Sequence, residues 1–212
     1  MKNRPIFNGL KTVLAVILLG GAVMANAIEE PQHEVVGRMG KIEIRYYQPS
    51  IQAVTTLNSS NQTSNGFQRL AGYIFGGNDG AEKIAMTAPV AETITRGKPE
   101  MAFTMPAQYQ LDELPIPNDA RISLKEVPAR HVAVVSFSGW ATPSKVRRYT
   151  KRLLAELESS QTETLGMPLL NQYNPPWTLP FLRRNEIVVE IEQPVEASFV
   201  DMQARSGLTY SF

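Results

Sequence analysis

Chemistry needs particular side chains, and this chain carries few of them. Among its 212 residues there is no Cys and there are only two His. A thiolate nucleophile, an iron–sulfur or zinc–thiolate centre and a disulfide are therefore excluded, and a three-imidazole zinc site lacks ligands. No Ser stands in a Gly-x-Ser-x-Gly turn, and no His-Glu-x-x-His helix occurs. The run Gly76-Gly77-Asn78-Asp79-Gly80 has glycines but not the Gly-Lys-Ser/Thr of a phosphate loop. It reads as a turn tolerant of positive φ. The acidic pairs Glu29-Glu30 and Asp112-Glu113 fall where no helical or strand period converges them. In Arg183-Arg184-Asn185-Glu186, alternation puts Arg183 and Asn185 on one face and Arg184 and Glu186 on the other. Arg183 then either clamps a ligand carboxylate or anchors the Pro- and Trp-containing loop before it. The formal charge of +1 argues against nucleic acid as a partner, since phosphate neutralisation needs a dense basic surface. These residues establish no catalytic constellation, though acids distant in sequence can still meet in a cleft.

The elements that must position these residues follow a leader. Lys2, Arg4 and Lys11 precede an apolar run from Val13 to Met24, and Ala25-Asn26-Ala27 supplies a small-x-small cleavage site. Residues 1–27 therefore read as a signal peptide, the run being too short to cross a bilayer. Three positive charges and no acid leave with it, taking +1 to −2 for residues 28–212. The processed protein is expected in the periplasm or medium, without stable membrane insertion. Lys41–Arg45 and Ile51–Leu57 read as a hairpin, and 80 residues later Arg121–Lys125 and His131–Phe137 repeat the pattern. Each pair turns through a Pro, at Pro49 and Pro128, and precedes a helix, over Gly66–Phe75 and Pro143–Ser159. Two further extended segments close each half: Lys83–Ile94 with Glu100–Ala107, and Leu165–Tyr173 with Glu186–Glu192. The expected fold is α+β, a distorted antiparallel β-barrel of two pseudo-symmetric halves, each a four-stranded sheet with one helix. The second helix has Thr142 or Ser144 to cap it, Pro143 at its start and an apolar stripe of Val146, Tyr149, Leu153 and Leu157. Its Lys145, Arg147, Arg148, Lys151 and Arg152 form either a solvated face or a phosphate or membrane patch. Residues 194–212 follow the last strand as a tail.

Two segments are too irregular to be generic: Glu82-Lys83-Ile84-Ala85-Met86-Thr87-Ala88-Pro89-Val90, and Asn174 to Ile187 with its Pro-Pro-Trp-Thr-Leu-Pro-Phe-Leu-Arg-Arg-Asn. With Ile42-Glu43-Ile44-Arg45-Tyr46-Tyr47, Pro128-Ala129-Arg130 and Phe137-Ser138-Gly139, they resemble the SOUL heme-binding protein family. The resemblance spans about His33 to Glu192, within a domain drawn over 28–193. It implies non-covalent binding of heme or another tetrapyrrole without enzymatic turnover, which with the leader makes an exported carrier, scavenger or buffer. The alternatives are an envelope interaction protein that keeps the scaffold, and a small-molecule sensor or hydrolase on a related barrel. A tetrapyrrole needs apolar surface for its macrocycle and cations for its propionates. The family's cleft involves the first helix, so Phe67, Leu70 and Ile74 with Arg69 and Tyr73 are the expected contacts. The same apolar residues also read as ordinary core. His131, with Ala133, Val135 and Phe137 on its face, is the candidate iron ligand, or else a strand-end His bonded to the backbone. Met86 is a soft ligand candidate, and Trp177 and Arg183 would wall the cleft and clamp a propionate.

Overall fold

The computed structural model describes residues 28–59, 63–95 and 97–193; the leader and the tail lie outside the described residues. The strands are β1 (His33–Met39), β2 (Ile42–Tyr47), β3 (Ser50–Thr56), β4 (Val90–Thr93), β5 (Glu100–Thr104), β6 (Ile122–Val127), β7 (Arg130–Phe137), β8 (Leu169–Gln172) and β9 (Asn185–Glu190). Helix α1 (Thr63–Ile74) follows β3, and α2 (Pro143–Ser159) follows β7. All nine strands join one curled antiparallel sheet in the order β1-β2-β7-β9-β8-β4-β5-β3-β6. Leaving β1 aside, exchanging β2 with β6, β3 with β7, β4 with β8 and β5 with β9 returns the same order reversed. The two halves meet where β4 pairs with β8.

One local expectation is corrected. The segments around Pro49 and Pro128 are not hairpins: β2 pairs with β7, and β3 with β6. A two-residue hairpin requires positive φ at its centre, usually from Asn-Gly or Gly. Gln48-Pro49 and Pro128-Ala129 provide none, and positive φ occurs instead at Gly40, Gly76, Ala81, Gly139 and Gln161. A proline fixed near −65° bends the chain without folding it back on itself. Each first strand therefore crosses to the other half, and the halves interlock.

Both helices cover the same face of the sheet, because Glu92 and Leu170 are directly opposite across β4 and β8. Glu92 accepts a hydrogen bond from Thr63 of α1, and Leu170 belongs to the apolar cluster under α2. That cluster joins Ile42, Ile44, Ala133, Val135, Ile187 and Val189 to Leu153 and Leu157. Thr142 caps α2 by accepting the Lys145 N–H, and Val146 and Tyr149 complete the stripe, Tyr149 stacked on Phe137 at 4.6 Å. The second cluster sets Leu70, Tyr73 and Ile74 of α1 against Ala53, Met101, Phe103 and Ile122.

The opposite face carries charge. Arg45 on β2 donates two parallel bonds to Glu186 on β9, Nη1 to Oε2 at 3.0 Å and Nη2 to Oε1 at 3.1 Å. Their side chains are 8% and 2% exposed. Glu43 and Tyr47 take the remaining Arg45 donors, while Tyr173 and Ser136 hydroxyls donate to Glu186 at 2.7 and 3.2 Å. Burial opposes both charges, yet the Arg45 bonds hold the Glu186 carboxyl below the usual carboxylate range, and Glu186 in turn raises Arg45. Breaking such a pair leaves a buried charge without compensation, a cost of about 3–5 kcal/mol. Glu186→Gln is thus expected to lower the free energy of urea unfolding at neutral pH by about 3 kcal/mol. Because the folded value is depressed, Glu186 stabilises the fold above its unfolded value near ~4.3 and that contribution is lost as pH falls through the folded value. The difference between parent and Glu186→Gln should therefore shrink in unfolding curves taken at about pH 3.

Candidate basic cleft on the first helix

Helix α1 is close-packed on its inner side. Gly66 lets the helix sit close there, since a Cβ would come 2.3 Å from Leu57 Cδ2 and that side chain would have to shift. Leu70, Tyr73 and Ile74 are 0%, 1% and 1% exposed, so these three expected contacts are core residues. The Tyr73 hydroxyl donates to Pro115 O at 3.0 Å, and burial, with the charge of Glu82, pushes its pKa up to about 12. Phe67 is half-buried, edge-on to Phe103 at 5.4 Å. The outer side is a strip of Asn65, Gln68, Gly72 and Phe75 at spacings of three and four. Phe75 is 60% exposed. A Cβ at Gly72 would meet nothing within 4 Å, so packing does not demand glycine at this exposed helical position. Helical periodicity marks the buried stripe and passes over this position.

Beside this strip lies a cleft of about 440 Å³ lined by Thr56, Leu57, Asn58, Asn65, Arg69, Lys98 and Arg121. Arg69 donates to Thr55 Oγ1 at 2.6 Å and lies 3.5 Å from Asp119, which fixes its guanidinium at the cleft wall. Hydrogen bonds from Arg121 hold the Asp119 carboxyl at about 2, so it stays ionised and positions both arginines. Lys98 has no ion-pair partner among the described residues. Three cations against one carboxylate, with amide donors at Asn58 and Asn65, suit a carboxylate or similar anion. Arg69 was expected here; Lys98 and Arg121 were not, because only the fold brings β6 and the segment before β5 to α1.

The other expected residues stand elsewhere. Met86, 37% exposed, lies on the segment after the Phe75–Lys83 bridge that leaves α1. His131 is half-buried at the start of β7, its ring 5.0 Å from Tyr46. Trp177 and Arg183 lie between β8 and β9 near the other end of β7, where Asn185 bonds Phe137 O. The Arg183 guanidinium donates to Thr178 O and Pro176 O and covers the Trp140 ring at 3.7 Å. Asn78 is buried and bonds Tyr73 O, Glu82 O and Glu82 N–H, so the glycine run is a structural turn. Among the described residues no group of three His, Asp or Glu could hold a metal ion, and no helix is long and apolar enough to cross a membrane. A larger cavity of about 790 Å³ is lined by Glu29, Glu126 and Glu30, the last paired with Arg184, and offers a dianion no free cation among its lining residues.

Solved structures place the fold first. The C-terminal domain of EcmrR matches with a TM-score of 0.57 at 11% identity, over 72% of this chain and 98% of that one. A protein from Listeria innocua titled a hydrolase matches with a TM-score of 0.51 at 10% identity, over 72% and 92%. These likenesses concern the fold alone. The sequence defines the relationship more closely: residues 28–190 match the profile described as SOUL heme-binding protein, and the chain belongs to that family. Human "Heme-binding protein 2" is 28% identical over 193 residues, covering 79% of this chain and 92% of its own. Mouse "Heme-binding protein 2" is 30% identical over 116 residues, covering 50% and 56%.

The two sides of α1 make opposite predictions. Leu70→Ala should cost about 3 kcal/mol in chemical denaturation, as truncation of a buried leucine does. Gly72→Ala should gain up to about 1 kcal/mol, since alanine replaces glycine in an exposed helix turn. A loss at Gly72→Ala would show that the glycine serves packing.

Proposed function

We propose that the protein binds heme or a related tetrapyrrole non-covalently, on the outer strip of α1, as an exported carrier or buffer. The observation that carries the assignment is the basic cleft of Arg69, Lys98 and Arg121 adjoining an open helical surface at Gly72. Family membership supplies the ligand class. The residues fit the group: the propionates need cations, which the cleft concentrates, and the flat macrocycle needs approach to a surface without side-chain bulk. Phe75 and Gln68 then supply contact around Gly72, and Phe67 backs the helix. Iron, when present, adds redox and axial-ligand chemistry, but the reading does not depend on His131. Burying a few hundred Å² of macrocycle at ~25 cal/mol/Å² is favourable, and association entropy with propionate desolvation offsets much of it. Affinity near the micromolar range is the expectation. Export rests on the leader motif, and sequencing of exported protein should begin at Ile28.

Titration with hemin and with metal-free protoporphyrin, followed by absorbance, tests the assignment. Both should bind with similar tightness. Gly72→Leu and the double change Lys98→Ala/Arg121→Ala should each weaken binding about tenfold or more, and His131→Ala less than about tenfold, or ~1.4 kcal/mol. Abolition by His131→Ala, with the α1 variants unaffected, would move the site to β7. Failure of both ligands to bind at about 100-fold higher concentration would refute tetrapyrrole binding.

A further inference from the structure

Five exposed apolar side chains, including Trp177 and Phe181, the two most exposed among the described residues, gather at the end of the sheet remote from His131. Trp177 is 83% exposed, Phe181 72%, Leu182 62%, Leu179 56% and Trp140 52%. They sit on a loop held in shape rather than on a loose one. Arg183, only 9% exposed, donates to the carbonyls of Pro176 and Thr178 from inside the loop and covers the Trp140 ring. The Thr178 and Leu182 N–H groups donate to Pro175 O and Leu179 O, each at 3.0 Å. Asn185 ties the Trp140 segment down through Gly139 O at 2.8 Å. A buried guanidinium is thus spent on keeping four apolar tips projecting into solvent. Soluble proteins rarely leave contiguous apolar surface uncovered without a use for it.

The chemistry beside the tips says what covers them. Lys145 Nζ donates to Ser138 O at 3.1 Å, which sets the first turn of α2 against the Trp140 segment. Arg148 and Arg152 follow Lys145 at i+3 and i+7, along the same side of the helix. Residues 138–155 and 171–185 together hold seven Lys or Arg and no Asp or Glu, in a chain with 21 basic and 20 acidic residues. None of the α2 cations has an ion-pair partner among the described residues. Projecting aromatic and leucine tips flanked by uncompensated cations are the chemistry of an anionic lipid–water interface: indole rings favour that boundary, and basic residues are drawn to its headgroups. Such tips enter a fluid layer without a complementary pocket.

We propose that the surface formed by the 174–182 loop, Trp140 and the first half of α2 docks peripherally and reversibly on an anionic bilayer. Trp177, Leu179, Phe181 and Leu182 enter the headgroup–acyl boundary, and Lys145, Arg148 and Arg152 meet the headgroups. The surface is separate from α1, so docking and tetrapyrrole binding stand or fall independently.

The protein reports on this itself, because its only two tryptophans, Trp140 and Trp177, both lie on the surface. Residues 1–27 contain none, so the emission is blind to the leader. Full-length protein without tetrapyrrole would be mixed with vesicles of phosphatidylcholine, with or without about 30 mol% phosphatidylglycerol. The expected result is a blue shift of Trp emission, and quenching by brominated acyl chains, with the anionic vesicles only. Phe181→Ser/Leu182→Ser and Arg148→Gln/Arg152→Gln should each weaken partitioning about tenfold or more, each basic residue near such a surface being worth about fivefold. Unchanged emission with anionic vesicles, an equal response to neutral ones, or variants that bind like the parent would overturn the proposal. So would a dimer in sedimentation that Phe181→Ser/Leu182→Ser dissociates without any lipid response, since a second copy would then be the occupant.

Discussion

A carboxylate buried in a protein must be compensated, and in this fold the compensation comes at once from two other strands and the end of a third. Glu186 of β9 meets Arg45 of β2, Ser136 of β7 and Tyr173, which directly follows β8. Arg45 belongs to the first half of the chain, and Glu186 with its other partners Ser136 and Tyr173 to the second. The charge is therefore satisfied only when β2 has crossed to pair with β7, which is the exchange that interlocks the halves. An apolar substitute of the same volume would pack with less penalty, but it would not distinguish this strand order from a simple hairpin. The helices and apolar clusters on the other face are arranged around that choice.

The same constraint separates the surfaces available to ligands. With one face filled by the Arg45–Glu186 network and the Tyr47, Val132, Val134 and Val188 cluster, and the other covered by α1 and α2, contact with an outside molecule falls to the backs of the helices and the ends of the sheet. The back of α1 is open at Gly72 and bordered by cations; the larger cavity is bordered by carboxylates. The two differ in charge sign, which on the proposed reading is what separates them for a dianion, the chain as a whole being nearly neutral.

Much of this was legible in the residues. Pro143, a capping Thr and a four-membered apolar stripe gave α2 its limits, and β-branched alternation gave the strand segments. The partners of β2 and β3 were not legible, because alternation tells which face a residue occupies and nothing about which strand lies beside it. Helical period found the inward side of α1, and inward proved to mean core for Leu70, Tyr73 and Ile74. The outward side shows itself in sequence only as a glycine where alanine would be favoured. Lys98 and Arg121 are distant from Arg69 in the chain and become its neighbours only after β3 has paired with β5 and β6. The Arg183–Asn185 alternation was legible; that Arg183 would be enclosed by carbonyls of its own loop rather than by a carboxylate needed the loop's path.

The direct measurement of where the ligand lies is a map of ring-current shifts at backbone amides when diamagnetic protoporphyrin is added to the labelled protein. The account predicts the largest shifts at Asn65, Gln68, Gly72 and Phe75, with Lys98 and Arg121 following and His131 to Val135 unmoved. Largest shifts along β7 around His131, or around Glu29, Glu30 and Glu126, would contradict it.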